Sequence, residues 1–390
     1  MSESLRVGLI AEPAGWHLNG LIEMCASYPD VIEVAIADVT GQVHQKFRPV
    51  TGSSPDPNWQ AGAHVPGSGP PAGWTKFGQE YDTPAVLGNK LKASFTDHRQ
   101  MLAEFKPDAV LVTVEPSKMP PLLIDALRAG AHVFHEKPGC GRIEDYREVV
   151  EVARQSPGHL CVAFNMRGLP NVREARAIIQ SGALGKLFAI QTHYVAEHPR
   201  SWLWEELADG WMFDRDRGGG HLIFLGCHYI DLMRYVTGAD VSEVAGFADT
   251  VGGEPINAED AYAVSLRFDN GMVGSFTGGF LAPTSEKHDA MNIWGSRGWL
   301  RFDPERGSFI EWFTREGTGQ TVPQRRLEFG ESPSGVQAFD QYKHEFFQAC
   351  LGKGNPPITA DDGLWMHEIA WAARRASDSG RAQKVVLGGS

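Results

Sequence analysis

The sequence predicts an α/β fold: a doubly wound parallel sheet in the N-terminal part, followed by an α+β part with an open, mostly antiparallel sheet. Two observations support this prediction. Short apolar strands alternate with helical patterns as far as Asn165, and later strands are separated by turns such as Asp269-Asn270-Gly271. A length of 390 residues is enough for two or three domains, and we place two at 1–164 and 165–390.

The N-terminal strands are continuous apolar runs rich in Val and Ile. They are predicted at Leu5–Ile10, Val31–Asp38, Asp108–Glu115, His132–His135 and Leu160–Asn165. Between them lie helical patterns, including an apolar stripe from Ile143 to Ala153 and a helix over Leu122–Ala129 that ends at Gly130. Strands of this kind, separated by helices, are typical of a parallel sheet with both faces covered.

In the C-terminal part, helices and strands do not alternate regularly. The helices are predicted at 171–180, 220–236, 336–350 and 361–377, and the strands at 187–195, 261–268, 272–280, 291–294 and 299–302. Helices cover one face of such an open sheet and the other face needs a partner, which favours a homodimer or homotetramer through this sheet. We expect the last two helices to pack back on the N-terminal domain.

Residues 49–90 fit neither pattern. One third of this segment is Pro or Gly, and Trp59, Trp74, Phe77 and Tyr81 lie among them. The segment is interpreted either as a disordered linker or as an ordered surface flap. The aromatic residues favour the flap, because true linkers contain few of them.

Charge and composition exclude several classes of protein. The formal charge is -12, with 48 acidic against 36 basic side chains, so nucleic acid is not expected as a partner. No apolar run approaches the ~18 residues of a membrane span, and Leu5–Ile10 is too short for a secretory signal. The five scattered cysteines form no C-x-x-C pair, which indicates reduced thiols. We therefore expect a cytoplasmic protein without membrane contact.

The turn after the first strand is the position where a G-x-G-x-x-G motif binds the pyrophosphate of a dinucleotide. Here it consists of Ala11, Glu12, Pro13, Ala14, Gly15 and Trp16. Only Gly15 supplies the glycine character of the motif, and Pro13 has no N–H to offer a phosphate. The turn is a candidate cofactor site by its position, and its residues alone do not establish one.

Asp38 ends the second strand, where a carboxylate accepts hydrogen bonds from the hydroxyls of an adenosine ribose. No Arg follows it to receive a 2′-phosphate, which favours NAD over NADP as the cofactor. The residues alone leave a second interpretation open, in which Asp38 is an ordinary cap of the strand end.

Glu136-Lys137-Pro138 directly follows a predicted strand. A lysine at the carboxyl end of a central strand lies in the crevice where α/β proteins bind ligands. Beside a nicotinamide, its ammonium would hydrogen-bond a substrate hydroxyl and favour the loss of its proton. Taken alone, the pattern favours an ordinary surface lysine in a loop.

The predicted helix over 220–236 carries a second group of candidate residues. Phe224, His228 and Asp231 are spaced i, i+4, i+7 on one face, opposite a core-facing stripe that starts at Leu225. His228 is interpreted either as a general base for a substrate hydroxyl or as a histidine hydrogen-bonded to Asp231. Periodicity leaves both interpretations open.

The segment from His198 to Arg217 mixes aromatic and acidic side chains, among them Trp202 and Asp214. It is interpreted either as the lining of a site for a polyhydroxylated ring or as a loop that packs on a neighbouring subunit. His132 and His135 are not expected to bind a shared metal ion, because they point to opposite faces of their strand.

Several of these motifs occur together. They are Glu136-Lys137-Pro138, Asn165-Met166-Arg167, Ser181-Gly182-Ala183-Leu184-Gly185, and Gly218-Gly219-Gly220 followed by Gly226-Cys227-His228-Tyr229-Ile230-Asp231. In this order and spacing they make the chain, from Leu5 to about Asp303, resemble the glucose–fructose oxidoreductase / inositol dehydrogenase / MocA family. The resemblance implies a Rossmann domain with a nicotinamide cofactor, and a C-terminal domain whose open sheet forms oligomers. It also implies a sugar, a sugar derivative or a cyclitol as the substrate.

The resemblance also implies roles for individual residues. Lys137 and His228 are the implied catalytic residues, with Pro138 in a cis peptide bond, Asn165 near the nicotinamide and Arg167 near the substrate. The candidate cofactor-binding residues are those of the first turn together with Asp38, Thr113, Glu115, Glu136, Lys137 and Asn165. The candidate substrate-binding residues are Arg167, Tyr194, Trp202, Asp214 and Phe224.

The sequence departs from the family pattern at several places. Phe224 stands where the family usually has an Asp, Met119 stands where many members have a His, and the first turn has lost glycines. The leading hypothesis is an NAD(P)-dependent oxidoreductase that transfers hydride to or from a ring carbon of its substrate. The alternatives are a glycoside-cleaving or eliminating enzyme with tightly bound NAD, and a non-catalytic relative.

Overall fold

The structure is a computed structural model of the chain. It describes residues 4–13, 15–47, 81–197, 210–252, 256–282, 288–305, 307, 309–316, 320–321, 325–329 and 335–387. Most of the predicted flap, Ala14 and Trp202 therefore lie outside the described residues. Within the described ranges, no helix combines the length and the apolar character needed to cross a membrane.

The N-terminal unit is built on a parallel sheet. Its strands are β1 (Leu5–Ala11), β2 (Val31–Ala37), β3 (Lys46–Phe47), β4 (Tyr81–Asp82), β5 (Leu91–Phe95), β6 (Ala109–Thr113), β7 (His132–His135) and β8 (Leu160–Val162). Strand β3 pairs with β4, and the other six form a sheet in the order β5-β2-β1-β6-β7-β8 with every pair parallel. Strands β1 and β6 are buried over nearly their whole length, as expected when helices cover both faces. The predicted doubly wound parallel sheet is confirmed.

Strand β5 has no counterpart in the sequence prediction. It lies at the edge of the sheet beside β2, and its residues alternate between half-buried and exposed. Lys92 and Ser94 occupy the exposed positions, so the strand lacks the continuous apolar run by which the other strands are recognised.

The described residues of the N-terminal unit form five helices: α1 (Leu18–Ser27), α2 (Thr83–Leu87), α3 (His98–Glu104), α4 (Met119–Arg128) and α5 (Ile143–Gln155). Helix α5 buries Ile143, Tyr146, Val149 and Val150, which confirms its predicted apolar stripe. Helix α4 begins earlier than predicted, because Pro120 and Pro121 lie in its first turn, where helical N–H groups need no partner.

The C-terminal unit contains the second sheet. Its strands are β9 (Leu187–Glu197), β10 (Val241–Asp249), β11 (Ala261–Phe268), β12 (Val273–Ala282), β13 (His288–Gly295), β14 (Gly298–Phe302), β15 (Phe309–Glu316), β16 (Gln320–Thr321), β17 (Arg325–Glu328) and β18 (Gln383–Lys384). Their order is β16-β15-β14-β13-β9-β12-β11-β10-β18, with β17 paired to β15. Among the described strands of this second sheet, only the pair of β9 with β12 is parallel, so the predicted mostly antiparallel sheet is confirmed.

One face of this sheet packs on helices, and the other exposes apolar side chains. Phe247, Val273, Leu281 and Trp294 are exposed large apolar residues on the outer face, as their strand registers place them. Trp299 pairs with Trp294 across β13 and β14 on the same face. The sheet therefore presents a broad, partly apolar surface.

The helices described in the C-terminal unit are α6 (Pro170–Gln180), α7 (His221–Phe224), α8 (Cys227–Thr237), α9 (Gly335–Cys350) and α10 (Ala360–Ser379). Helices α9 and α10 contact the N-terminal unit through side chains. The Lys343 ammonium donates to the Gly20 carbonyl at 3.0 Å, and Arg147 of α5 donates to the Glu368 carboxylate at 2.7 and 2.9 Å.

The prediction of one continuous helix over 220–236 is wrong, because the helix is interrupted at Leu225 and Gly226. The N–H of Gly226 donates to the His221 carbonyl at 2.8 Å, five residues back, and a Cβ at Gly226 would lie 2.6 Å from the Leu222 carbonyl oxygen. A glycine is therefore needed for this tight turn.

The predicted faces of this helix change with the interruption. Asp231 is fully buried rather than on a face turned away from the core, and Phe224 is buried as well. Leu225, the predicted start of the core-facing stripe, is only half-buried. The prediction that Phe224, His228 and Asp231 share one face outside the core is wrong for this reason.

Candidate active site

The carboxyl ends of β1, β6 and β7 lie side by side, because these parallel strands are neighbours in the sheet. Strand β1 ends at the buried Ala11, and the segments that follow the three strands carry Glu12, Glu115 and Glu136-Lys137. Ligands of doubly wound proteins bind in a crevice at this edge of the sheet. The structure thus brings the candidate cofactor segments to one edge.

The turn after β1 is folded tightly against β6. The N–H of Glu12 donates to the Thr113 carbonyl at 3.3 Å, and the N–H of Gly15 donates to the Glu12 carbonyl at 2.8 Å. The Thr113 hydroxyl donates to the Trp16 carbonyl at 2.6 Å. A Cβ at Gly15 would lie 2.4 Å from the Thr113 carbonyl oxygen, so this position requires glycine. The N–H groups of Glu12 and Gly15 are thus bonded within the protein, and Pro13 has no N–H.

Asp38 follows β2 and is buried, and its carboxylate is engaged by its own loop. Gln42 and Val43 donate their N–H groups to Oδ2 at 2.8 and 2.9 Å. Thr40 donates its N–H to Oδ1 at 2.9 Å and its hydroxyl to Oδ2 at 2.7 Å. Asp38 therefore caps the loop after β2, and ribose binding by the same carboxylate stays a prediction.

Lys137 lies at the carboxyl end of β7, with 4% of its surface exposed. Its ammonium donates a hydrogen bond to the main-chain carbonyl of Phe224 at 2.6 Å and lies 3.9 Å from the centre of the Phe224 ring. The Lys137–Pro138 peptide bond is cis, as the resemblance implies. A lysine of the N-terminal unit is therefore held by a residue 87 positions later in the chain.

The Phe224 carbonyl can accept this bond because helix α7 ends there. In a continuous helix, the same carbonyl would accept the N–H of His228, four residues on. Instead, the N–H of His228 donates to the Leu225 carbonyl at 3.3 Å. The Cys227 thiol lies 3.5 Å from the Phe224 carbonyl oxygen and also donates to it. The interruption between α7 and α8 thus presents a main-chain acceptor to Lys137.

Aromatic rings surround the Lys137 contact. The centre of the Phe224 ring lies 5.2 Å from that of Trp16 and 5.1 Å from that of Trp211. Two buried polar atoms of this region, Trp16 Nε1 and Glu136 Oε2, have no hydrogen-bond partner in the part of the chain that the structure describes. A bound ligand commonly satisfies such a leftover donor and acceptor.

His228 lies in the first turn of α8 and is half-buried, with its ring edge-on to Phe164 at 6.1 Å between centres. Phe164 directly precedes Asn165, which is half-buried too. Burial raises the pKa of the Cys227 thiol to about 12, and the nearby Lys137 ammonium opposes this rise. His228 therefore lies beside Phe164, and its neighbour in the chain, Cys227, shares the Phe224 carbonyl with Lys137.

Arg167 has a structural partner. Its guanidinium donates to the Asp231 carboxylate at 2.7 and 2.5 Å and lies 3.1 Å from Asp362. Burial raises the pKa of Asp231, and the Arg167 charge opposes that rise. The Asp231 carboxylate thus pairs with Arg167 and not with His228, the partner that one interpretation of the sequence assigns to it. A contact of Arg167 with substrate stays a prediction.

Tyr194 and Asp214 also have partners within the protein. Tyr194 lies on the buried face of β9 and stacks on Tyr229, with 4.4 Å between ring centres. Asp214 precedes a short 3-10 helix, and its Oδ1 accepts from the Asp216 N–H at 3.0 Å and from the Asn257 amide at 3.3 Å. Their predicted contacts with substrate find no direct support in these positions.

An ion-pair network joins the two units beside the first turn. Arg217 donates to the Glu115 carboxylate at 2.9 and 2.7 Å, and the Lys118 ammonium lies 3.1 Å from Glu12 and 3.3 Å from Glu115. The hydrogen bonds from Arg217 lower the pKa of Glu115 to about 2, so this carboxylate is ionised at neutral pH. Segments of both units therefore meet at the mouth of the crevice.

A group of buried rings behind Lys137 has no counterpart in the sequence analysis. His135 Nδ1 lies 2.8 Å from the Glu136 carbonyl oxygen, and Nε2 lies 3.0 Å from the Tyr146 hydroxyl. Tyr146 stacks on His367 of α10 with 4.0 Å between ring centres. In the sequence, the apolar stripe of α5 predicts only that Tyr146 is buried and does not indicate its partners. Within the described ranges, no group of three or more His, Cys, Asp or Glu side chains is arranged to hold a metal ion.

Lowering the pH from 6.5 to 4 is expected to destabilise the protein through these histidines. Burial lowers the pKa of His135 to about 4 and that of His367 to about 3, from an ordinary value of 6.5. Below pH 6.5 the unfolded chain therefore binds protons that the folded chain does not. The free energy of unfolding is therefore highest above pH 6.5. As the pH falls towards the pKa values of the folded state, it decreases by about 1.4 kcal/mol per pH unit for each histidine.

Urea unfolding at a series of pH values measures this loss. The variant His367→Phe keeps a ring against Tyr146 but cannot titrate. Its free energy of unfolding should therefore fall less steeply than that of the wild type between pH 6.5 and 4. Equal slopes would contradict the buried, neutral state of His367.

Two family models match the chain, one in each unit. Residues 80–164 match the model described as an oxidoreductase family with an NAD-binding Rossmann fold. Residues 172–301 match the GFO/IDH/MocA C-terminal domain. The two matches together span more than half of the chain.

Curated proteins with related sequences include sugar and cyclitol enzymes. The 1,5-anhydro-D-fructose reductase of Ensifer adhaerens is 26% identical, over 77% of this chain and 86% of its own. The myo-inositol 2-dehydrogenase of Thermotoga maritima is 23% identical, over 76% of this chain and 85% of its own. The levoglucosan dehydrogenase of Pseudarthrobacter phenanthrenivorans is 29% identical, over 47% of this chain and 52% of its own.

Solved structures share the complete fold. The WlbA dehydrogenase from Bordetella pertussis, in complex with NADH and UDP-GlcNAcA, has a TM-score of 0.73 at 20% identity and matches over 98% of this chain and 99% of its own. A levoglucosan dehydrogenase without ligand has a TM-score of 0.76 at 20% identity and matches over all of both chains. At this level of identity the similarity establishes the fold alone.

Proposed function

The chain belongs to the Gfo/Idh/MocA oxidoreductase family, and from this premise we propose that it transfers hydride between a nicotinamide cofactor and a ring carbon of a sugar, sugar derivative or cyclitol. One observation carries the proposal. The Lys137 ammonium is held at the crevice by the Phe224 carbonyl, next to the helix that bears His228. This arrangement supports a site in which a hydrogen-bond donor and an imidazole, from different units, act on one substrate oxygen.

The described residues fit the nicotinamide end of the cofactor. The Trp16 Nε1 donor and the Glu136 Oε2 acceptor have no partner in the described chain, and a carboxamide and a ribose hydroxyl supply the complementary groups. We propose that Trp16, Glu136 and Asn165 hold this end. A bound nicotinamide supplies the position that takes up or releases the hydride.

Lys137 and His228 have different roles at the substrate oxygen. An ammonium has three N–H donors, and the Phe224 carbonyl takes one of them, which orients the group. Lys137 then donates to the substrate oxygen and stabilises the negative charge that develops as the neighbouring C–H bond breaks. His228 accepts the hydroxyl proton during oxidation and returns it during reduction.

Phe224 contributes to this mechanism through its main-chain carbonyl and not through its side chain. The family usually has an Asp here, and the Phe224 ring can neither orient a hydroxyl nor hold a proton. The carbonyl of the same residue orients the ammonium instead, at 2.6 Å. This contact supports turnover over the non-catalytic interpretation, and the dehydrogenases and reductases among the relatives support redox chemistry over glycoside cleavage.

NAD is proposed as the cofactor rather than NADP. The Asp38 carboxylate is fixed at the end of β2, where it would repel a 2′-phosphate. We expect calorimetric titration to give a dissociation constant at least about tenfold lower for NADH than for NADPH, a difference of about 1.4 kcal/mol. Tighter binding of NADPH would contradict this assignment, and binding of neither nucleotide would end the proposed function.

The reaction itself is tested with a panel of sugars, sugar acids and cyclitols. NADH production in proportion to substrate consumed is the expected result. Glycoside cleavage by protein that carries NAD through purification and consumes none would instead support the alternative of a resident cofactor.

The exposed apolar face of the C-terminal sheet is proposed to be covered by a second copy of the chain. Phe247, Val273, Leu281 and Trp294 lie exposed on this face, and an apolar surface of this kind is typical of a protein interface. The proposal is a homodimer or homotetramer, and light scattering of the purified protein would refute it by giving a monomer mass.

A further inference from the structure

His135 closes a hydrogen-bonded chain behind the Glu136–Lys137 peptide. Its Nδ1 lies 2.8 Å from the Glu136 carbonyl oxygen, which belongs to the peptide group that links Glu136 to Lys137. On the other side of this residue, the Glu136 N–H donates to the Val112 carbonyl of β6 at 3.0 Å. The peptide groups on both sides of Glu136 are thus held, one by the sheet and one by a side chain.

The partners of His135 determine its tautomer. A carbonyl oxygen only accepts hydrogen bonds, so Nδ1 carries the proton and donates it to Glu136. Burial lowers the pKa of His135 to about 4, so the ring is neutral at pH 7 and Nε2 is an acceptor. The Tyr146 hydroxyl, 3.0 Å away, therefore donates to Nε2. Donation runs from Tyr146 through the imidazole to the Glu136 carbonyl.

Two glycines leave the space that the His135 and Tyr146 side chains occupy. A Cβ at Gly139 would lie 2.4 Å from His135 Cε1, and a Cβ at Gly363 would lie 2.4 Å from the Tyr146 hydroxyl oxygen. Both distances are far below an ordinary van der Waals contact, which is ~3.5 Å between two carbon atoms. Positions in two different units therefore lack the side chains that would displace His135 and Tyr146.

From this arrangement we infer that His135 is a positioning residue for Lys137. Rotation of the Glu136–Lys137 peptide would swing the Lys137 side chain away from the Phe224 carbonyl, and the hydrogen bond from His135 opposes that rotation. His135 itself acts through the peptide and not on the substrate. The inference rests on the proposed function, in which Lys137 acts on the substrate oxygen.

The same series of hydrogen-bonded side chains connects Lys137 to the C-terminal unit. Tyr146 stacks on His367 of α10, and His367 Nδ1 donates to the Gly363 carbonyl one turn back in that helix at 2.7 Å. Helix α10 therefore supports the ring that supports His135. The position of Lys137 depends on packing between the two units.

The test compares two substitutions at one position. His135→Asn keeps a side-chain N–H near the place of Nδ1, whereas His135→Leu removes the donor at similar size. We expect His135→Leu to lower kcat by about ten- to a hundredfold, because a catalytic group that is misplaced loses turnover. KM and the NADH dissociation constant should change by less than about threefold, and His135→Asn should keep kcat within about threefold of the wild type.

His132→Asn is the matched control, since it makes the same substitution on the same strand. The His132 ring packs against His159 at 4.9 Å between centres, away from the Glu136 carbonyl contact, and the variant should keep wild-type kcat. An unchanged kcat in His135→Leu would overturn the inference. Equal losses of kcat in both His135 variants would overturn it as well, because they would show that the donated hydrogen bond is not what matters.

Nuclear magnetic resonance of protein with ¹⁵N-labelled histidine reports the tautomer without turnover. The wild type should show His135 protonated at Nδ1, and protonation at Nε2 would overturn the inference. Tyr146→Phe keeps the ring on His367 and removes only the donor to Nε2. Because the Glu136 carbonyl still accepts from Nδ1, the Nδ1–H tautomer should persist and kcat should stay within about threefold of the wild type. Loss of the Nδ1 proton in this variant would overturn the inference, and the tautomer measurement keeps the inference testable if His135→Leu does not fold. A wild type that binds no NADH would refute the proposed function, while the tautomer would still decide the His135 hydrogen bond.

Discussion

Replacing Lys137 with methionine is expected to lower kcat by about three orders of magnitude. Methionine fills the space of the aliphatic stem but has no N–H to donate to the substrate oxygen or to the Phe224 carbonyl. The dissociation constant for NADH should change by less than about threefold, because the lost interaction is made mainly in the transition state. Steady-state kinetics and calorimetric NADH titration measure the two effects separately.

Lys343→Met is the matched control for this variant. Lys343 is also buried, and its ammonium likewise donates to a main-chain carbonyl, that of Gly20, at 3.0 Å. It lies outside the proposed mechanism, so kcat should stay near the wild-type value. A Lys137→Met enzyme with kcat within about tenfold of the wild type would refute the proposed role of the lysine.

Replacing Arg167 with methionine is expected to lower the free energy of unfolding by about 3–5 kcal/mol. The substitution removes both hydrogen bonds to Asp231 and leaves this fully buried carboxylate without its closest positive charge. An unpaired charge in the protein interior is costly, because it has lost its contact with water. Urea unfolding of the wild type and the variant measures the difference.

A second substitution separates the charge from the loss of packing. In Arg167→Met/Asp231→Asn the buried charge is gone, so the double variant should be more stable than Arg167→Met. An Arg167→Met protein with unchanged stability and a raised KM would instead support the contact with substrate that the family resemblance implies.

The arrangement of the sheets could be predicted from local patterns. Strands His132–His135 and Ala261–Phe268 coincide with their predicted bounds, and the Asn270-Gly271 turn joins β11 to β12 as expected. Each of these elements is recognised by a few neighbouring residues. The edge strand β5 is missed because its residues are half-buried or exposed to solvent. It therefore lacks the apolar run that marks a central strand.

The interruption between α7 and α8 depends on contacts that no local pattern contains. Residues 220–236 keep helical periodicity, and a single Gly226 lowers the preference for helix by only about 1 kcal/mol. The interruption is stabilised by Lys137, which binds the exposed Phe224 carbonyl from 87 positions away. The pair of Arg167 with Asp231 is 64 positions apart and is equally invisible in the sequence.

The candidate site residues stay predictions, and most of their partners could not be predicted from the sequence. The family motifs name Lys137 and His228 as candidates, and the structure shows Lys137 and Cys227, the neighbour of His228 in the chain, on the same Phe224 carbonyl. The described partners of the Asp38 carboxylate are all within five positions, and the sequence analysis accordingly includes the cap among its two interpretations. Partners supplied by distant elements, such as Tyr146 for His135, required coordinates.

The use of a main-chain atom to hold Lys137 has a consequence for how this protein can diverge. An essential carboxylate would forbid change at position 224, whereas a carbonyl is present whatever side chain the residue carries. Residue 224 is therefore open to mutation, provided that the interrupted helix is retained. Its side chain contacts Trp16 and Trp211, so substitutions there would reshape the space beside the lysine and offer a route to new specificity.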